Sequence, residues 1–80
     1  MEMPQEEIIS YLQIAHQLWV DGWLDEKELG DYLDEVNHEF SVIDPKTKSL
    51  RFVFQDDYYP TYVKIDSTGK VIVSTEFDGL

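Results

Sequence analysis

The chain has 80 residues, with 17 Asp plus Glu against 6 Lys plus Arg, and no cysteine. These residues make one domain, and the net charge of −11 disfavours direct binding to nucleic acid or an anionic membrane while favouring a basic partner. Without cysteine there are no disulfides, no thiolate zinc sites and no cysteine nucleophile.

A hydrophobic fraction of 42% and an aromatic fraction of 14% mark a folded globule rather than a disordered segment. Small secreted domains often depend on disulfides, so a reducing, cytoplasmic compartment is expected. The stretch "MEMPQEEIIS" lacks the positive start and apolar run of a signal peptide, and the apolar runs elsewhere are too short to span a membrane. The acidity has a second reading, as a device for solubility alone.

In chain order, Gln5 to Trp19 is expected to be a helix. Ile8, Tyr11, Leu12, Ala15, Leu18 and Trp19 recur at helical spacing as one apolar stripe. Pro4 suits the first turn, and Glu6 and Glu7 suit the positive pole of the helix dipole. A second helix is expected from Glu26 to about Glu39, with Leu29, Tyr32, Leu33, Val36 and Phe40 on its apolar face. Gly30 inside it costs roughly 1 kcal/mol relative to Ala, and a close approach by the first helix or an aromatic ring would account for it. His38 suits the negative pole.

From Ser41 the period changes to two. "FSVI" reads as a strand and "DPKTK" as a turn with Pro45 at its second position. "SLRFVFQ" alternates Leu50, Phe52 and Phe54 on one face with Arg51, Val53 and Gln55 on the other. "DDYYP" is a loop, and "TYVKID" and "KVIVSTE" are strands joined by "DSTGK", with Gly69 at a left-handed position. Two helices followed by strands with short connections give an α+β fold: an N-terminal helical hairpin over residues 1–40, packed on one face of a three- to four-stranded antiparallel meander over residues 41–80.

The stretch "WVDGWLDEKEL" resembles the second half of an EF-hand calcium loop. Glu28 would be the ligand at position twelve, Gly22 the glycine at position six, and Asp21 and Asp25 positions five and nine. Positions one and three would then be Gln17 and Trp19, and an indole offers no oxygen to calcium. A cap explains the same letters. Asp25 and Glu28 form a capping box, Leu24 and Leu29 a hydrophobic staple, and Gly22 closes the first helix with positive φ. No metal is expected there.

Catalytic signatures are absent too. His16 beside an apolar stripe reads as a packed residue, and His38 with Glu35 and Glu39 lacks metal-ligand spacing. No serine lies in G-x-S-x-G, the four glycines never cluster around a phosphate loop, and Asp56-Asp57 reads as a turn rather than an acid–base pair. The expectation is a non-enzymatic chain with no catalytic residue and no cofactor.

Two features stand out. Residues 1–40 carry eleven acids and one base, Lys27, a net of −10, and residues 41–80 carry six acids and five bases, a net of −1. At 100° per residue, Glu28, Asp31, Glu35 and Glu39 share one face of the second helix with Asp34 beside them, where a solvated helix would more often alternate signs. The loop residues Asp56, Asp57, Tyr58 and Tyr59 add charge and rigid aromatic area, of the kind found at interaction hot spots. These nine residues are the expected partner-binding set.

The resulting expectation is an inhibitor that occludes a basic, nucleic-acid-binding surface of a partner protein. In size and composition the chain resembles phage-type DNA-mimic inhibitors, including anti-CRISPR and anti-restriction proteins and glycosylase inhibitors. An immunity or antitoxin-like protein neutralising a basic toxin would use the same surface. A regulatory subunit pairing through a strand edge would use the β half instead, and a homo-oligomer is left open.

Overall fold

The structure, a computed structural model, describes residues 4–36, 38–54 and 59–75. Two helices, α1 (Gln5–Val20) and α2 (Glu26–Asp34), precede four strands, β1 (Phe40–Asp44), β2 (Ser49–Phe54), β3 (Thr61–Ile65) and β4 (Val71–Ser74). The strands form one antiparallel sheet in the order β1-β2-β3-β4, so the fold is α+β.

Alternation along the strands builds the core. Leu50, Phe52 and Phe54 of β2 and Val63 and Ile65 of β3 are buried on one side of the sheet, opposite each other in register where Leu50 meets Ile65 and Phe52 meets Val63. Ile8 and Leu12 of α1 and Leu33 and Val36 from the second helical segment close the same cluster. Phe52 and Phe54 meet edge to face at 5.4 Å, the arrangement the ring quadrupole favours. A second cluster, Ala15, Trp19 and Leu29, joins the two helices. α1 lies across β2 and β3, and α2 packs chiefly on α1.

The turn between the helices is closed at both ends. Gly22 takes φ +88° and its N–H bonds the Trp19 carbonyl at 3.1 Å, while the Trp23 N–H bonds the Leu18 carbonyl at 2.8 Å. This nested pair is a Schellman closure. On the other side the Glu28 N–H donates to Asp25 Oδ1 at 2.7 Å and the Asp25 N–H to Glu28 Oε1 at 3.3 Å, the capping box read from the sequence. Leu24 packs against the Leu29 cluster, as the staple requires.

Four sequence expectations need correction. The second helix ends at Asp34, not near Glu39. Its last bonds shorten to the three-residue type, Glu35 to Tyr32 and Val36 to Leu33, and carboxylates at the negative pole with no basic residue in the last turn oppose extension. The chain then enters the sheet early: the Glu39 N–H bonds the Val53 carbonyl at 2.8 Å. Phe40 therefore opens β1, opposite Val53, and stays 53% exposed instead of completing a helical stripe. His38 lies beyond the helix, where its Nδ1 bonds the Val36 carbonyl at 3.0 Å. Gly30 has no close neighbour either, since a Cβ built there meets nothing within 4 Å.

The β1–β2 turn is tied to α1. Asp44 Oδ1 accepts the N–H groups of Lys46 and Thr47, and these bonds, that of Thr47 first, hold its carboxyl below the usual range. Lys48 adopts the left-handed conformation at φ 54°. Its carbonyl accepts a hydrogen bond from Nε2 of the fully buried His16 at 2.8 Å, and its ammonium lies 4.7 Å above the Trp19 ring.

Two substitutions check this description. Asp25→Ala removes the cap and should lower unfolding stability by about 0.5–2 kcal/mol, read from the denaturant midpoint. Gly30→Ala fills open space on an ordinary helical backbone and should raise stability by about 0.5–1 kcal/mol. A midpoint below the parent's would show that Gly30 is held for packing after all.

Candidate functional site

Glu28, Asp31, Asp34 and Glu35 are all exposed on the second helical segment, and the cap explains their direction. The Asp25–Glu28 box sets the first turn of α2, and burial of Leu29 and Leu33 then turns the acidic face to solvent. The four differ in their attachments. Glu28 serves the capping box. Glu35 accepts the Tyr11 hydroxyl at 2.6 Å. The side chains of Asp31 and Asp34 are exposed and make no hydrogen bond or ion pair among the described residues.

Glu39 does not belong to this face. It is exposed, but it lies beyond the helix with its backbone bonded to β2. Tyr59 is 71% exposed, which suits a contact residue. Asp56, Asp57 and Tyr58 lie outside the described residues. The structure thus places Glu28, Asp31, Asp34 and Glu35 on one helical segment, with Glu39 and Tyr59 outside it.

Tyr11 ties the helices together near this face. Its ring packs against Tyr32 at 5.7 Å between centroids, and the hydrogen bond to Glu35, with burial and the carboxylate charge adding to it, pushes its hydroxyl up to about 12. Only the neutral phenol can donate this bond.

Two exposed side chains were not legible as site residues. Ile14 is 65% exposed on α1 and Trp23 is 76% exposed in the interhelical turn. Ile14 falls off the main stripe of α1, which was a usable signal. Trp23 sits between two helix ends, and composition says nothing about which way an indole there will face.

The opposite face of the sheet offers a different feature. Between the two hairpin turns a cleft of about 370 Å³ has Arg51 and Lys64 on its floor, flanked by Asp44 and Asp66. Arg51 and Lys64 are direct cross-strand partners, and both are already engaged by other groups. Among the described residues no three His, Asp or Glu side chains converge as a metal-binding group, and no helix is long and apolar enough to cross a membrane.

Two measurements follow. Calorimetric titration with calcium should show no binding in the micromolar range of sensor EF-hands, because Asp25 and Glu28 are committed to the cap; a saturable signal lost in Glu28→Gln would restore the ion-site reading. The Tyr11 contact also has a sign. A folded pKa raised above the unfolded value of about 10 gives stability that is present below pH 10 and is lost as pH rises towards 12. The stability difference between the parent and Tyr11→Phe should therefore shrink over that interval, and a constant difference would mean that the hydroxyl bond contributes nothing.

Comparison of the chain with known protein families, with curated proteins and with solved structures returns no match.

Proposed function

We propose that this chain is a non-enzymatic protein-binding domain of the cell interior that occludes a basic, nucleic-acid-binding surface on a partner protein. The observation that carries the reading is the exposed, predominantly acidic face of α2, where Glu28, Asp31, Asp34 and Glu35 surround a single cation, Lys27. The side chains of Asp31 and Asp34 have no partner among the described residues, and the helical half to which they belong carries a net −10 against −1 for the remainder. Like charges three and four residues apart cost an isolated helix a few tenths of a kcal/mol each, a cost that opposite charges on a partner offset. A row of carboxylates on a rigid helix presents a basic groove with negative charge at regular spacing, as a phosphate backbone does. Such a field speeds encounter and rejects acidic partners.

An immunity protein facing a basic toxin would use the same residues and differ only in the partner. The strand-edge alternative has its own support, since β1 and β4 are the sheet edges and carry the exposed Phe40 and Val73. Both edges are short, and neither carries the charge bias that distinguishes the helical half.

The test begins with affinity capture from the cells that encode the chain, using the parent and a variant with Asp31 and Asp34 changed to Lys. Glu28 and Glu35 are left alone because they hold the cap and the Tyr11 bond. Lys is a good helix former, so the variant should keep the parent's circular dichroism. The parent should capture a basic protein and compete with DNA or RNA for it, and the variant should associate at least about tenfold more slowly at low salt. Unchanged affinity of the folded variant at low salt, or an acidic partner, would refute the proposal.

A further inference from the structure

We infer that the strip Ile14–Leu18–Trp23 on the outer side of the helical hairpin is the anchor of a docking surface, and that its occupant is an arginine-bearing amphipathic helix of a partner protein. The inference rests on the proposed function in taking the partner to be basic, and it adds what that partner presents.

Large apolar side chains this exposed are informative when they are contiguous. The chain carries two tryptophans in opposite situations: Trp19 is 3% exposed and Trp23 76%. The Schellman closure decides this, because the Trp23 N–H bonds the Leu18 carbonyl and fixes the indole as the second residue beyond the helix. A residue there packs towards the third residue from the helix end, which is Leu18. Leu18 is half-buried and lies one turn from Ile14 on the same face of α1. Ile14, Leu18 and Trp23 therefore run in line along the helix for roughly 10 Å.

The rim of the strip is acidic. Glu7 and Asp21 lie seven residues either side of Ile14 on the same face, and Asp25 and Glu26 follow Trp23; all four are exposed. This pairing of surfaces narrows the occupant. A nucleic acid or an anionic lipid surface is repelled by the rim, and a second copy of the chain would bring two strongly acidic halves face to face. A cationic helix with apolar residues one turn apart matches both parts, laying its apolar face on Ile14 and Leu18. Arginine fits better than lysine, because guanidinium stacks on an indole face and also forks onto carboxylates.

The experiment uses the full chain at physiological salt and three synthetic peptides, acetylated and amidated. One is a helix-forming peptide of Leu on one face and Arg on the other, one replaces every Arg by Lys, and one keeps the Leu and Arg composition in an order with no apolar face. Acrylamide quenching of tryptophan fluorescence reports the site directly, since Trp19 is shielded. The Leu/Arg peptide should protect the accessible indole and bind at least about tenfold more tightly than the reordered peptide and several-fold more tightly than the Lys peptide. Trp23→Ala and Ile14→Gln, each checked for cooperative unfolding, should weaken binding by about tenfold, as loss of a hot-spot side chain does. Val73→Ala, which removes another exposed apolar side chain, from β4, should leave it unchanged. Equal binding of the reordered peptide, absence of binding, or unchanged affinity of folded Trp23→Ala overturns the inference, and equal binding of the Lys peptide overturns the assignment to arginine. The variant with Asp31 and Asp34 changed to Lys separates the two claims. Loss of partner capture there with Trp23→Ala unaffected leaves the proposed function standing without this anchor, and the reverse pattern moves the interface from α2 to the strip.

Discussion

The turn from Asp21 to Asp25 is the constraint on which the helical half depends. The 9-residue α2 is too short to be stable in water on its own, and the 16-residue α1 also draws most of its stability from packing an amphipathic face. α1 buries its face directly, with Ile8 and Leu12 against β2 and β3. α2 does so largely through α1, and it can only because the reversal is tight. Gly22 in the left-handed region ends one helix, and Asp25 with Glu28 starts the next. Together they set Leu29 beside Ala15 and Trp19. Once Leu29 and Leu33 face inward, the acidic side of α2 has to face outward.

The same turn fixes Trp23. The closure that ends α1 fixes the backbone of the residue just beyond Gly22, and that residue's side chain is left largely exposed. A local backbone requirement thus determines where a large apolar group is displayed, next to carboxylates placed by the cap. The strip and the acidic face are two consequences of one reversal of the chain.

About one turn before that reversal, α1 makes an attachment different in kind. His16 is fully buried, bonds the Lys48 carbonyl through Nε2, and keeps Nδ1 without a partner among the described residues. Lys48 accepts a left-handed backbone, and its ammonium rests on Trp19. Unfavourable features of the β1–β2 turn and of the core histidine are therefore held at a single contact between helix and hairpin. This contact fixes how the sheet sits under α1, and through α1 how the acidic face is carried.

Local signals were legible in the sequence by itself: the order of two helices and four strands, the capping box, the staple, the positive φ of Gly22 and Gly69, and the inward face of β2. Each depends on residues within a few positions of one another, or on a period that needs no partner. Four things were decided only by the tertiary structure. α2 stops at Asp34, because the following residues do better in the sheet than against a dipole already crowded with acid, and this removes Glu39 from the acidic face and Phe40 from the helical stripe. Gly30 has open space where a close neighbour was expected, because α2 meets α1 through other side chains. The Tyr11–Glu35 bond joins residues 24 positions apart, a separation that no local pattern reports. Trp23 is exposed because the turn carries it past the end of α1, beyond the cluster that buries Trp19, a placement that no helical stripe reports.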